Sequence, residues 1–247
     1  MIIDDLRDYL ASAFAEQRLA DVRIGLGYTA VMLEDGNVGV AYTARENASP
    51  GCSVFMGRRP LVGRSTTEIL EYLGSDDGVE RTVGLAVGNA LANRPGAGQQ
   101  AGDILETLSV GFLDRVGMVG FFGPLVSPIE KRARELVIFE RTMTRSERVL
   151  PAEKALEELP RCDVAVITST AFIFGGMDGL LEAASSCRDV ALVGASTPLV
   201  PDFFAPLGVK LLSGITVTDP SSILQIVSEG GGMGFFGRHI QKVNMRL

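Results

Sequence analysis

The second half of the chain, from about Arg115 onward, alternates short and almost wholly apolar runs with segments of helical periodicity. Runs that are apolar on both faces predict strands buried on both sides, and their alternation with helices predicts a parallel sheet. We therefore predict a Rossmann-like α/β fold for this half. The predicted strands cover residues 116–122, 136–140, 164–169, 190–194 and 209–217, and the predicted helices cover 127–134, 152–159, 177–186 and 220–228.

The first hundred residues predict a small α+β domain. Ile3, Leu6 and Leu10 recur at helical spacing, which predicts an amphipathic first helix. Residues 98–102 predict a linker, so we expect two domains, residues 1–100 and residues 101–247. The other predicted elements are a β-hairpin over 22–42 with its turn at 34–37, helices over 65–73 and 77–93, and a short helix over 103–106.

Charge and composition disfavour several classes of partner. A net charge of −7, with no run of basic residues longer than two, argues against binding to nucleic acid. The longest apolar run, residues 116–126, is too short and too interrupted by glycine and proline to span a bilayer, and the acidic start differs from a signal peptide. Cys52, Cys162 and Cys187 are widely spaced, which predicts reduced, buried thiols. We expect a cytoplasmic protein that is not embedded in a membrane.

The predicted first strand of the parallel sheet leads into a glycine-rich turn. Ligands of open parallel sheets bind beyond the carboxyl ends of the strands, so residues that follow a strand are candidate site residues. Gly117, Gly120 and Gly123 form a G-x-x-G-x-x-G pattern, which differs from the dinucleotide pattern G-x-G-x-x-G. We select Gly120 as a ligand-contacting position, with close packing between strand and helix as the alternative explanation of these glycines.

An acidic residue closes the predicted second strand. Glu140 lies twenty residues after Gly120, which is the offset at which an acidic residue of Rossmann folds meets a ribose hydroxyl. The alternative is a solvated carboxylate that pairs with Arg141 or Arg145.

Hydroxyl side chains follow the third and fourth predicted strands. Thr168 and Thr170 come after the third strand, and Ser196 and Thr197 after the fourth. Hydroxyls beside free backbone N–H groups suit an anion or a carboxylate, because they bring no charge of their own. Ordinary helix N-caps are the competing explanation.

A glycine-rich segment near the end of the chain is the last candidate. Gly231 and Gly232 lie in it, and the chain's single histidine, His239, follows with a local basic bias, so the segment could close over an anionic ligand. One histidine and three scattered cysteines do not predict a fixed metal site. A metal ion would therefore be met by oxygens such as those of Glu140 and Asp178, or would arrive as a chelate already held by its ligand.

Several segments resemble a family of bacterial and archaeal proteins described by a role in heavy-metal chelation. They are Phe-Glu (139–140), Leu-Pro-x-Cys-Asp-Val-Ala-Val-Ile-Thr-Ser-Thr-Ala (159–171), Val-Gly-Ala-Ser-Thr-Pro-Leu-Val-Pro (193–201), the terminal Gly-Gly-Gly (230–232) and Gly-Leu-Ala-Val-Gly-Asn-Ala (84–90). The resemblance implies an N-terminal domain similar to the capping domain of enolase, a Rossmann-like C-terminal domain and a site in the cleft between them. In that arrangement Asn89 would face the strand-end residues. Ala195 stands where the family pattern has proline, so the loop before Ser196 departs from that pattern.

Two functions follow from these residues. The first is the binding of a small anionic ligand or metal chelate, in metal chelation or metal-cofactor metabolism. The second is a transferase or lyase that uses an adenosine-containing cofactor, a nucleotide or S-adenosylmethionine, with Glu140 or His239 as proton carrier. The amphipathic first helix and the Phe-Phe pairs are compatible with a homodimer without requiring one. The predicted ligand-binding residues are Asn89, Gly120, Glu140, Thr168, Thr170, Ser196, Thr197, Gly231 and Gly232.

Overall fold

The computed structural model describes residues 1–48, 55, 58–96, 98–141 and 149–247. Cys52 and Arg145, which the sequence analysis considered as a buried thiol and as a partner of Glu140, lie outside the described residues. The helices are α1 (Ile2–Ala13), α2 (Thr66–Leu70), α3 (Gly78–Ala92), α4 (Gly123–Glu130), α5 (Ala155–Glu158), α6 (Ala171–Phe174), α7 (Met177–Ala183), α8 (Pro201–Phe204), α9 (Pro220–Ser228) and α10 (Met233–Phe236). The strands are β1 (Leu19–Ile24), β2 (Tyr28–Leu33), β3 (Val38–Tyr42), β4 (Gln100–Ala101), β5 (Arg115–Val119), β6 (Glu135–Glu140), β7 (Val149–Pro151), β8 (Val164–Thr168), β9 (Asp189–Val193), β10 (Leu211–Val217) and β11 (Ile240–Arg246).

The first unit, residues 1–96, holds an antiparallel sheet in the order β1-β2-β3, with α3 packed on it. The predicted turn at 34–37 joins β2 to β3, and Gly36 adopts the positive φ of 85° that favours glycine there. The predicted strand over 22–32 is wrong in one respect, because a turn at 25–27 divides it into β1 and β2. A Cβ atom on Gly25 would come within 2.2 Å of Val227 O, so α9 is packed against this turn.

The predicted helix starts at residues 65 and 77 are confirmed, and both are N-cap residues. Ser65 Oγ accepts a hydrogen bond from Glu68 N at 3.2 Å at the start of α2, and the Asp77 carboxylate accepts from Val79 N at 2.8 Å at the start of α3. The helix predicted over 65–73 is shorter, since α2 ends at Leu70 and continues as a 3-10 turn.

The second unit, residues 98–247, is built on one large sheet within the described residues. Its strand order is β4-β11-β10-β9-β8-β5-β6-β7, and the strands from β10 to β7 are parallel. The Rossmann-like α/β prediction is therefore confirmed. Strands β4 and β7 were not predicted, and neither was the antiparallel strand β11, which pairs with both β10 and β4.

The helix predicted over 127–134 begins four residues earlier, as α4. Pro124 lies in the first turn of α4, where a missing N–H group costs nothing, and this start places the helix directly after β5. Residues 131–134 turn back instead, and Arg134 N donates to Asp114 O at 2.9 Å.

A continuous hydrophobic core joins the two units. It contains Leu6 and Leu10 of α1, Val83 of α3 and Phe172 and Leu212 of the second unit, all buried. The apolar stripe of α1 is thus covered within the chain. The predicted domain boundary between residues 100 and 101 falls inside β4, and the division into two domains stays a prediction. Among the described helices, none has the length and apolar character needed to cross a membrane.

Candidate functional site

The chain leaves the neighbouring strands β5 and β8 in opposite directions along the large sheet. From β5 the chain proceeds outward to β6 and β7, and from β8 it proceeds the other way to β9 and β10, although β5 and β8 are neighbours. Such a switch in direction leaves a crevice in which open α/β sheets bind ligands. A cavity of about 750 Å³ lies there, and its polar, charged and aromatic lining includes Tyr42, Glu46, Phe121, Phe122, Glu140, Arg141, Glu153, Thr168, Thr170 and Phe174.

The first unit supplies one wall of the cavity through Tyr42 and Glu46. Tyr42 N donates to Ser196 Oγ at 2.9 Å, which ties the end of β3 to the loop after β9. The Tyr42 ring lies 6.0 Å from the Phe174 ring, centroid to centroid. Burial, with a contribution from the nearby Glu46 carboxylate, raises the pKa of the Tyr42 hydroxyl. This hydroxyl is therefore a neutral hydrogen-bonding group at neutral pH.

Gly120 occupies a position that only glycine tolerates. Its φ is 88°, and a Cβ atom there would come within 3.0 Å of the Thr168 side chain. The Phe122 ring lies across the strand ends, with ring atoms 3.7 Å and 3.9 Å from the positions that Cβ atoms would take on Gly120 and Gly194. Pro124 adds no N–H group at the start of α4. This turn therefore differs from the open backbone cradle that holds a pyrophosphate in dinucleotide-binding folds.

Glu140 lines the cavity from the end of β6. Its Oε2 accepts from Phe121 N at 2.8 Å, and its Oε1 accepts from Arg141 N at 2.7 Å. The carboxylate thus holds the turn after β5 in place while it faces the cavity. Its role as a ligand-binding residue stays a prediction.

The two predicted hydroxyl clusters are placed differently. Thr168 and Thr170 line the cavity, with their Oγ1 atoms 3.0 Å apart. Thr197 is fully buried, and its Oγ1 lies 2.8 Å from Ser169 Oγ. Ser196 is also buried and accepts from Tyr42 N. The hydroxyls after β9 therefore support the interface between the two units.

Asn89 does not line the cavity. It is fully buried in α3, and its Nδ2 donates to Val40 O at 2.8 Å inside the first unit. The residue that reaches the second unit is Asn93, one turn later, whose Nδ2 donates to Thr197 O at 2.9 Å. Asn93 was not predicted as a site residue, although its place at the end of α3, where a helix leaves backbone groups unpaired, is a usable signal.

The glycine-rich segment lies outside the cavity, beside Tyr28. A Cβ atom on Gly232 would lie 3.2 Å from the Tyr28 ring, and on Gly231 it would lie 2.5 Å from the Ile226 side chain. Burial raises the pKa of the Tyr28 hydroxyl to about 12. Tyr28 contacts Tyr42 edge-on at 6.2 Å between centroids, so a row of rings connects the segment to the wall of the cavity.

His239 is held away from the cavity. Its Nδ1 lies 2.9 Å from Asp219 Oδ2, and Asp219 also accepts from Ser222 N at 3.1 Å as the N-cap of α9. The hydrogen bonds from the Ser222 hydroxyl and N–H group, then from the Ser221 hydroxyl and His239, hold the pKa of the Asp219 carboxyl well below its usual range. A role of His239 as proton carrier at the cavity is not supported by this position.

Within the described residues, no group of three or more histidine, cysteine, aspartate or glutamate side chains could hold a metal ion. Cys162 and Cys187 precede β8 and β9, so they lie at the amino ends of the strands, opposite the cavity. Burial raises the pKa of both thiols, that of Cys187 to about 12. The Asp178 carboxylate, named above as an oxygen ligand for a metal ion, accepts a hydrogen bond from Ile2 N at 2.8 Å. Since soft metals bind thiolate rather than thiol, these groups do not fit a bare heavy-metal ion.

We expect the two described cysteines to be almost unreactive in the folded protein. The Cys52→Ser variant leaves Cys162 and Cys187 as the thiols to be measured. At pH 8 a thiol with the raised pKa of Cys187 is ionised only to about one part in ten thousand, and it is the thiolate that attacks a disulfide reagent. Reaction with a chromogenic disulfide reagent should therefore be at least about a hundredfold slower than in guanidinium chloride. Equal rates in the folded and denatured protein would contradict this placement of the thiols.

Comparison with known proteins gives matches over nearly the whole chain. Two family models, both described as "Putative heavy-metal chelation", match residues 103–246 and residues 7–92. A protein of unknown function from Pyrococcus horikoshii has a similar structure, with a TM-score of 0.86 and 22% identity over 100% of both chains. Another, from Desulfitobacterium hafniense DCB-2, gives a TM-score of 0.83 and 25% identity over 100% of this chain and 97% of that one. Among curated proteins there is no significant match. The likeness of the first unit to the enolase capping domain stays a prediction.

Proposed function

The chain belongs to the heavy-metal-chelation family, and from this premise we propose that its cavity binds a small organic anion, free or as the chelating ligand of a metal ion. The metal would then be cargo that arrives with its ligand, as in metal chelation or metal-cofactor metabolism. The observation that carries the proposal is the cavity between the two units, which combines rings, hydroxyls and one guanidinium group with the carboxylates of Glu46, Glu140 and Glu153.

The size and lining of the cavity suit a small molecule. A volume of about 750 Å³ falls within the range of small-molecule sites, which are mostly apolar with a few placed polar groups. Phe121 and Phe174 supply apolar surface, Thr168 and Thr170 supply hydroxyls, and Arg141 supplies a positive charge. A bare divalent ion would leave most of these groups unused.

The proposal distinguishes a metal chelate from free metal. In equilibrium dialysis followed by elemental analysis, we expect the protein to retain Ni²⁺ supplied as its citrate or picolinate complex and not Ni²⁺ supplied as chloride. Stoichiometric retention of Ni²⁺ from chloride, or no retention from either complex together with no binding of the metal-free acids, would overturn the proposal.

A Glu140→Gln variant tests whether the cavity is the binding site. Both carboxylate oxygens of Glu140 accept from backbone N–H groups, and glutamine can accept with only one oxygen, so the turn after β5 loses a hydrogen bond. We expect this loss to lower affinity for the retained complex about tenfold, although the substitution also removes a negative charge from the cavity. The matched control is Glu135→Gln at the opposite end of β6, where the side chain pairs with Arg115 at 3.0 Å, and it should leave affinity unchanged. Equal effects of the two substitutions would place binding elsewhere.

One observation favours a second candidate, an enzyme that uses an adenosine-containing cofactor. Glu140 ends the strand next to β5, where Rossmann folds bind a ribose. The Phe122 ring and Pro124 oppose a pyrophosphate, so S-adenosylmethionine suits this turn better than a dinucleotide. Saturable binding of S-adenosylmethionine in calorimetry, lost in the Glu140→Gln variant, would support this candidate over chelate binding.

A further inference from the structure

Arg141 presents its guanidinium group at the cavity without a carboxylate partner among the described residues. It lines the cavity and is exposed, and no described aspartate or glutamate lies within ion-pair distance of it. Other arginines of the second unit are neutralised: Arg115 pairs with Glu158 at 2.7 Å, and Arg188 pairs with Asp114 at 2.8 Å. The carboxylates of Glu46, Glu140 and Glu153 also line the cavity, but none of them forms an ion pair with Arg141. The guanidinium group is therefore a positive charge to which the described part of the chain supplies no directly paired counter-ion.

The guanidinium group of Arg141 lies over an aromatic ring. Its Cζ atom lies 3.7 Å from the centroid of the Phe174 ring, at the distance of direct stacking. Stacking uses the face of the guanidinium group and leaves its N–H groups free at the edge, where a planar carboxylate can accept two hydrogen bonds. Phe174 in turn contacts Tyr42, so the platform is continuous with the wall from the first unit.

The neighbouring hydroxyls add a donor that is not used by the described part of the chain. Thr168 Oγ1 accepts from Thr170 N at 3.3 Å, and the two Oγ1 atoms share one hydrogen bond at 3.0 Å. Two hydroxyls carry two donors, and one shared bond uses one of them. The second hydroxyl proton is available to a ligand oxygen in the same cavity.

We propose that Arg141, stacked on Phe174, is the subsite that receives a carboxylate of the ligand, and that it restricts the ligands of this cavity to carboxylic acids with a further acceptor for the threonine hydroxyls. This inference rests on the proposed function and names its ligand class. Hydroxy-, amino- and pyridine-carboxylic acids belong to this class, and such acids are also chelators of divalent ions. The sequence alone suggested for Arg141 only an ion pair with the Glu140 carboxylate.

Pairs of probes that differ only in the carboxylate test the subsite. Metal-free picolinate is compared with picolinamide, and citrate with its trimethyl ester, by calorimetric titration of the full chain. We expect each acid to bind at least about tenfold more tightly than its neutral counterpart, the advantage of a charge-assisted hydrogen-bonded pair. Arg141→Met keeps the apolar stem and should remove this preference, by weakening the acids and leaving the neutral probes almost unchanged.

Further variants separate charge from geometry. Arg141→Lys keeps the charge but loses the planar fork, so it should restore only part of the preference. Phe174→Leu removes the stacking platform and should also reduce the preference. The control Arg161→Met removes an exposed arginine that pairs with Glu158 at 3.0 Å near the amino end of β8, and it should change nothing.

The outcomes distinguish this inference from the proposed function. Equal affinity for acids and neutral probes, or a preference that survives in Arg141→Met, overturns the carboxylate subsite while retention of nickel complexes still supports the proposed function. Retention of the complexes without binding of either free acid also overturns the subsite. If neither the complexes nor the acids bind, both proposals fail.

Discussion

Replacing Gly39 with alanine is expected to lower the free energy of unfolding by about 3 kcal/mol or more, the upper range for overpacking in a core. A Cβ atom on Gly39 would lie 2.1 Å from Ala90 N and 2.2 Å from Ala86 O, which are backbone atoms of α3. Neither atom can rotate away as a flexible side chain could. Strand β3 would have to separate from α3.

The measurement is denaturant unfolding followed by circular dichroism. The matched control is Gly27→Ala, since a Cβ atom at Gly27 would meet nothing within 4 Å and the residue lies in the same small sheet region. This control should stay within about 0.5 kcal/mol of the unchanged protein. If both variants lose the same stability, the contact between β3 and α3 is looser than described. Because Tyr42 lies at the end of β3, Gly39→Ala should also weaken binding of the nickel complexes.

Replacing Asn93 with alanine is expected to cost about 3 kcal/mol of unfolding free energy, because it leaves three buried backbone groups without partners. The side chain is 2% exposed, and its Nδ2 donates to Thr197 O at 2.9 Å and to Ile215 O at 3.3 Å. Its Oδ1 accepts from Leu199 N at 2.8 Å. All three groups belong to the second unit, so the loss falls on the interface between the units.

Denaturant unfolding again provides the readout for Asn93→Ala. Asn47→Ala, at an exposed asparagine of the first unit, is the control and should be almost neutral. Asn93→Asp keeps the acceptor for Leu199 N but loses both donated hydrogen bonds and brings a buried charge, so it should be at least as damaging as alanine. An Asn93→Ala protein as stable as the control would show that the interface does not depend on this side chain.

The elements that depend on local signals could be predicted from the sequence. Ser65 and Asp77 cap helices through their own next turn, and the buried parallel strands are apolar on both faces, so short windows of sequence determine both. Strand β11 was missed because it alternates only partly between buried and exposed residues, as an outer antiparallel strand does. Its pairing depends on contacts with β10 and β4, which are distant in sequence.

The candidate site divides in the same way. Gly120, Glu140, Thr168 and Thr170 lie at the cavity because parallel strands bring their carboxyl ends to one edge. Asn89 was selected from the family resemblance. The helical phase of α3 directs the Asn89 side chain toward β3 of the first unit and the Asn93 side chain toward the second unit. Tyr42 reaches the cavity through the packing of the first unit on the second, for which the sequence carries no local pattern. Arg141 directly follows β6, so it lies at the same edge of the sheet as the strand-end residues.

The position of β11 between β10 and β4 affects how the chain acquires its structure during synthesis. Strand β4 pairs only with β11, which is made about 140 residues later, so it leaves the ribosome long before its partner exists. The parallel strands β5 to β10 can associate in the order of translation. The outer end of the sheet cannot close until residues 240–246 emerge, and nascent chains arrested before that point should expose the edge of β10.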